Sequence, residues 1–198
     1  MPATTNTPIP ARQRILDTAN RLFYGEGLRA TGIDRIIAES GVAKMSFYRH
    51  FPAKRDLIVA FLERRRREWI DWFRAEVDAR LAKKGAGLEV IADAMDSWFA
   101  QSDFRGCTFA NTVAEGAHGE ESIARVVADH ETDIATYVEE VAGRLGLSRP
   151  GEVAEAVAVV MEGLVVRAQI TGRYGDPAIG RMLLRGIARE HARTRPKS

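Results

Sequence analysis

The chain is poor in the features that would make it a secreted, membrane-bound or β-sheet protein. Its one cysteine, Cys107, has no partner for an internal disulfide and no CxxC neighbour, which points to a reducing compartment such as the cytoplasm. Its place on an apolar helix suggests a buried, inert thiol. No apolar run is long enough to cross a bilayer, so no membrane partner is expected. The first ten residues carry Pro2, Pro8 and Pro10 among threonines, without the basic end and apolar core of a signal peptide, and read as a disordered arm. No segment alternates apolar and polar residues between turn signals. Neither HExxH nor CxxC spacing occurs, and the net charge is only +2.

The charge is unevenly distributed. Residues 1–60 hold nine Lys/Arg against five Asp/Glu, whereas the rest of the chain is slightly acidic. A basic front end suits a small module that meets nucleic acid. Apolar residues recur at helical spacing nearly throughout, so an all-α fold is expected. Ile15, Ala19, Leu22 and Phe23 form one face of a first helix, which Gly25 and Gly27 close. Thr31 stands three residues before Asp34 and reads as the cap of a short second helix burying Ile33, Ile36 and Ile37. Gly41 turns the chain into a third helix, about Ala43 to His50, and Pro52 ends it. A fourth runs from Lys54 to about Leu81, a fifth over Leu88–Phe99, and a sixth over Cys107–Ala117. A seventh carries the face Ile123, Val127, His130, Ile134, Val138, Val141 and Leu145.

Val153–Ile170 is apolar on nearly every side, so it must be covered on more than one face. The simplest solution is a second copy of the chain packed against it, with Asp176–Ala188 as companion helix.

Thr31 to Lys54 has the layout of a helix-turn-helix. Ala38 is the small residue expected where the helices cross, Gly41 makes the turn, and Val42 and Phe47 plug the interface. The second of these helices fits a major groove, leaving Lys44, Met45, Ser46, Tyr48, Arg49 and His50 to meet bases and phosphates.

The stretch LFYGEGLRATGIDRIIAESGVAKMSFYRHFPAKRDLI, Leu22 to Ile58, closely resembles the TetR family of bacterial regulators. The likeness rests on Gly25, Thr31, Asp34, Ile37, Ala38, Gly41, Val42, Tyr48, Phe51, Lys54 and Leu57. It implies phosphate contacts from Thr31, Tyr48 and Lys54, and a reading surface of Lys44, Met45, Ser46, Arg49 and His50. Ala43 and Ala53 depart from the pattern where capping hydroxyls are usual, and Met45 stands in place of a common glycine. RGCTFANTVAE, Arg105 to Glu115, looks like a segment of one branch of the family.

The resemblance implies a disordered arm over 1–10, a three-helix DNA-binding domain over 11–53, and a ligand-binding and dimerisation domain over 54–198. The implied partners are a palindromic double-stranded operator, a small-molecule inducer and a second copy held through the last two helices. No cofactor, catalytic residue or metal is expected. The function implied is a repressor released by its inducer, with an activator as the alternative.

Candidate pocket residues are Trp69, Met95, Trp98, Phe99, Phe109, Asn111, Glu115, His130, Tyr137 and Met161. Aromatic and Met stripes at helical spacing also make ordinary core, and a lone histidine on an apolar face is more often a hydrogen-bonded core residue than a ligand. Whether His118, His130 and Glu115 bind a ligand or a metal stays open at this level. GEGLRA, Gly25 to Ala30, matches a dinucleotide fingerprint only in letters, since a helix and not a strand precedes it. Ser46 and His50, four apart on one helix, lack the third group that a hydrolase needs. An enzyme and an all-α interaction protein are the remaining rival classes.

Overall fold

The computed structural model describes residues 9–172 and 177–192, with the backbone alone for His118 and Pro177. Among these residues the secondary structure is helical: α1 (Ala11–Glu26), α2 (Ile33–Ser40), α3 (Lys44–His50), α4 (Lys54–Leu81), α5 (Val90–Phe99), α6 (Thr108–Ala114), α7 (Glu121–Arg144), α8 (Pro150–Thr171) and α9 (Pro177–Glu190). A single 3₁₀ turn, Ala117–Gly119, follows α6. The sixth helix is shorter than its apolar pattern implies, because Gly116 takes a left-handed conformation (φ 75°) that ends it. No described helix is long and apolar enough to cross a membrane. The arm expected over 1–10 falls, for residues 1–8, outside the described residues.

The chain divides into two compact units. The first comprises the described residues up to Arg65 together with Thr108–Val126; the second comprises Arg66–Cys107 and the described residues from Val127 onward.

In the first unit, α1 presents Ile15, Leu16, Ala19, Leu22 and Phe23 to the core. Ile36, Val42, Phe47, Phe51, Leu57, Phe61 and Leu62 join them. Phe23 and Phe61 meet edge to face with centroids 5.4 Å apart. Two expectations are corrected. Thr31 does not cap α2, whose cap position is Gly32 without a side-chain bond. Thr31 is instead fully buried, its hydroxyl donating to the Gly27 carbonyl at 2.8 Å, because the turn after α1 leaves that acceptor inside. Ala38 is exposed, so it does not sit at the helix crossing; Ser40 and Val42 fill the covered positions around Gly41.

In the second unit, α5 is buried over most of its surface, with Val90, Ile91, Ala94, Met95, Trp98 and Phe99 all in the core. The stripe predicted on α7 is buried at Ile134, Val138 and Val141, with Tyr137 and Ala142 beside it. Polar ties hold α7 to α4. Arg66 forks onto Asp133 at 2.6 and 2.9 Å and reaches Asp129 at 3.0 Å. The Tyr137 hydroxyl donates to Asp78 at 3.0 Å, and Arg144 donates to the same carboxylate at 2.6 Å. The Arg144 hydrogen bond holds the Asp78 carboxyl below the usual range. Gly180 lets α9 approach closely: a Cβ there would lie 3.0 Å from that of Ala92 and 3.1 Å from Leu164.

The all-round apolar character of α8 resolves into two faces. Val153, Ala154, Val157, Met161, Val165 and Ala168 are buried, whereas Val159, Val166 and Ile170 are exposed. On α9, Leu184 is buried while Ile179, Met182 and Leu183 are exposed. Isolated exposed aliphatics are ordinary, but six on two packed helices form a continuous apolar demand for cover.

His130 is buried in this unit, its ring edge-on to Trp69 at 5.3 Å. Burial lowers its pKa from 6.5 to about 4; Asp133 opposes that shift and Arg66 reinforces it. The folded protein therefore holds His130 neutral where the unfolded chain takes up a proton, so its contribution to stability is present at neutral pH and is lost as pH falls from 6.5 toward 4. Between about pH 7 and pH 4.5, denaturant unfolding should show wild type losing roughly 2–3 kcal/mol more than His130→Phe. Parallel pH profiles for the two proteins would refute the assignment.

Candidate nucleic-acid interface

The exposed surface of α3 follows from its burial pattern. Phe47 is completely covered and Phe51 nearly so, which turns Lys44, Met45, Tyr48 and Arg49 outward, with Ser46 and His50 half-buried at the edges. Met45 is 81% exposed, a large apolar side chain left in water on a seven-residue helix. Arg49 makes no ion pair among the described residues. The Lys44 ammonium lies 3.6 Å from the Asp34 carboxylate, both of them on the open surface where such pairs are weak. Two cations, a methionine, a phenol and an imidazole thus lie together on one short helix, most of them exposed. This is the chemistry of a surface that binds phosphates and reads base edges.

The caps missing from the sequence are missing in the structure, with one compensation. Ala43 offers α3 no side-chain cap, but at the start of α4 the Asp56 carboxylate reaches back to accept the Ala53 amide at 3.0 Å. Behind the α3 surface, Arg14 donates to the Gly41 carbonyl at 3.3 Å. Arg35 joins Glu26 and Glu39, and Arg21 also holds Glu39, so that α1 and α2 are laced together. The Arg35 hydrogen bond lowers the Glu26 pKa below the ordinary carboxylate value.

Two residues expected at the phosphates are placed differently from the rest. Thr31 is fully buried and exposes no atom to a phosphate. Lys54 is half-buried, and its ammonium donates to the Leu28 carbonyl at 2.6 Å. Burial lowers its pKa, and the nearby Glu115 carboxylate partly restores it. The Arg64–Arg67 run is largely internal in its bonding: Arg64 pairs with Asp17, Arg65 lies over the Tyr24 ring at 4.2 Å, and Arg66 holds α7.

The ten pocket candidates split between the units. Trp69, Met95, Trp98, Phe99, His130, Tyr137 and Met161 belong to the second. There Trp69 stacks on Phe73 at 4.8 Å and meets Trp98 at 5.4 Å, and Trp98 and Phe99 both pack on Phe104 at 5.1 Å. The Trp69 indole N–H is buried there and meets no acceptor among the described residues. Phe99 and Phe104 reach the wall of an open cleft of about 450 Å³, shared with Arg105, Ala168 and Gln169. Phe109, Asn111 and Glu115 fall in the first unit, and Glu115 is committed elsewhere: its carboxylate accepts the backbone amides of Leu28 at 3.1 Å and Arg29 at 2.7 Å. Sequence periodicity cannot reveal a bond across more than eighty residues. The one local trace is Gly27, in the left-handed region (φ 96°), where a Cβ would meet the Glu115 carboxylate at 3.0 Å. Cys107, expected buried, is half-buried.

Comparison with known proteins bears on this surface directly. A family model described as bacterial regulatory proteins, tetR family, matches residues 15–61. The HTH-type transcriptional regulator LmrA of Bacillus subtilis is 25% identical over 172 residues, covering 85% of this chain and 91% of its own. Among solved structures, SCO4454, a TetR-family transcriptional regulator from Streptomyces coelicolor, shares 29% identity at a TM-score of 0.74, with 91% of this chain and 95% of that one covered. The multidrug binding protein EbrR, complexed with proflavin, is 22% identical with a TM-score of 0.65, covering 90% of this chain and 99% of its own, a likeness of fold.

Gly41, which aims α3, is left-handed at φ 62°, and a Cβ at that position would meet only the Arg14 guanidinium, at 3.7 Å. Gly41→Ala should therefore destabilise the protein by about 1 kcal/mol through backbone strain alone, and Gly41→Asn by less. Urea denaturation of the three proteins checks this; an alanine variant as stable as wild type would show that the turn is not constrained.

Proposed function

Because this chain belongs to the TetR family and is a DNA-binding transcriptional regulator rather than an enzyme, we propose that it is a repressor which a small-molecule inducer releases from its operator. Residues 11–53 read DNA, and 54–198 bind the inducer and dimerise. Lys44, Met45, Ser46, Arg49 and His50 address the bases of a major groove, while Tyr48 addresses the backbone. The observation that carries the DNA reading is the outward face of α3, where Lys44, Met45, Tyr48 and Arg49 are exposed.

Two copies bind a near-palindrome, with their α3 helices about 34 Å apart in successive major grooves. Support for pairing comes from the six exposed aliphatics on α8 and α9, a face suited to an identical partner. Support for an inducer comes from the aromatic core of the second unit: a buried indole N–H without an acceptor suits a largely apolar, planar ligand that carries a hydrogen-bond acceptor. Proflavin bound to EbrR is an example of a planar aromatic ligand on this fold. Work inside the cell, at the chromosome, follows from this role.

Ligand weakens DNA binding only as far as it prefers the DNA-incompetent state, and linkage makes the effect reciprocal. Arg49→Ala should weaken binding to a selected operator about tenfold, as loss of a base or phosphate contact does, and leave the dimer intact by sedimentation. Affinity should fall steeply with salt. Salt-independent binding, or dissociation of the dimer by the Arg49 substitution, would overturn the division of labour. Calorimetric titration of an inducer should give weaker binding in the presence of operator; equal affinities would remove the coupling.

A further inference from the structure

The amides of Leu28 and Arg29 belong to the turn that delivers the chain from α1 into α2. Both point at one carboxylate, that of Glu115 at the end of α6, at 3.1 and 2.7 Å. The carbonyl of the same Leu28 accepts the Lys54 ammonium at 2.6 Å from the first residue of α4. Leu28 itself is buried, so the turn is fixed by its side chain, its amide and its carbonyl at once. The approach is tight on both sides: Gly27 leaves just enough room for the carboxylate, and the Arg29 guanidinium comes within 3.1 Å of the Cβ position of Gly116. Since α3 lies in the chain between the α2 entry and the α4 start, both of its anchors refer to Leu28.

We infer that Glu115 is a positioning residue for DNA binding: by holding the Leu28–Arg29 turn against the Lys54 end of α4, it sets the presentation of α3 without touching DNA. This inference concerns DNA binding alone and does not rest on the inducer reading.

The sign of the effect separates positioning from charge. Deleting a negative charge from a DNA-binding domain by itself leaves affinity unchanged or raises it, because less repulsion of phosphate remains. Loss of positioning lowers it. The test uses the full-length protein and a duplex that the wild type recovers from a random-sequence pool. Affinity is measured by anisotropy, well below the unfolding temperature of every variant. Glu115→Ala should bind about tenfold more weakly, given two charge-assisted hydrogen bonds removed. Glu115→Asp, which keeps the charge but loses reach, should resemble it. Glu115→Gln, which keeps reach and one acceptor oxygen, should fall between these and wild type. The salt slope should stay unchanged, since no phosphate contact is lost.

Hydrogen exchange at the Leu28 and Arg29 amides should accelerate in the order Gln, then Asp and Ala. Should the alanine variant fail to fold, the aspartate and glutamine variants still decide the order. Wild-type or tighter operator binding by Glu115→Asp and Glu115→Gln, or unaltered exchange of the two amides, would overturn the inference. A failure of wild type itself to select any duplex would count against the DNA reading instead.

Discussion

Helices of eight and seven residues do not persist alone in water, so the reading head exists only because its apolar faces are buried against longer neighbours. Phe47 is the centre of that constraint. Its complete burial, with Ile36 and the α1 face formed by Ile15, Leu22 and Phe23, decides which residues of α3 look outward. Lys44, Met45 and Arg49 are exposed as a consequence of where Phe47 points. The exposed polar face of α3 is thus the reverse side of a hydrophobic core, and its register could not be changed without rebuilding that core.

Much of this was legible in the chain because it is governed by local rules. The 3.6-residue periodicity places the long helices, and the glycines at 27 and 41 and the proline at 52 punctuate the first four. The two faces of α8 follow from an apolar surplus that one core cannot absorb. What was hidden depended on distance in sequence. Thr31 looks like a cap beside Asp34, yet the turn brings the Gly27 carbonyl closer, and the hydroxyl goes inward. Glu115 directly follows an apolar helix and invites assignment to a pocket; only the folded chain brings it to the amides of residues 28 and 29. Ala38 matches a motif by residue type but lies on the open side of α2.

The two units solve the problem of buried polarity differently. In the first, charged pairs mostly lie on the surface and lace α1 to α2, while the buried Thr31 hydroxyl and the half-buried Lys54 ammonium donate to backbone carbonyls. In the second, the aromatic cluster around Trp69 lies beside the Arg66–Asp129–Asp133 tie, and His130, next to both, is held neutral. A core with a neutral imidazole and an indole N–H that meets no acceptor among the described residues is less than optimal for stability.

The distribution of tryptophan has its own consequence. All three, Trp69, Trp72 and Trp98, stand in the second unit, with Trp69 meeting Trp72 at 6.3 Å and Trp98 at 5.4 Å, and the first unit has none. Intrinsic tryptophan emission from this protein therefore originates in the second unit. The molecule carries a built-in optical probe, excited apart from tyrosine at long wavelength, that registers events in the second unit and not in the first.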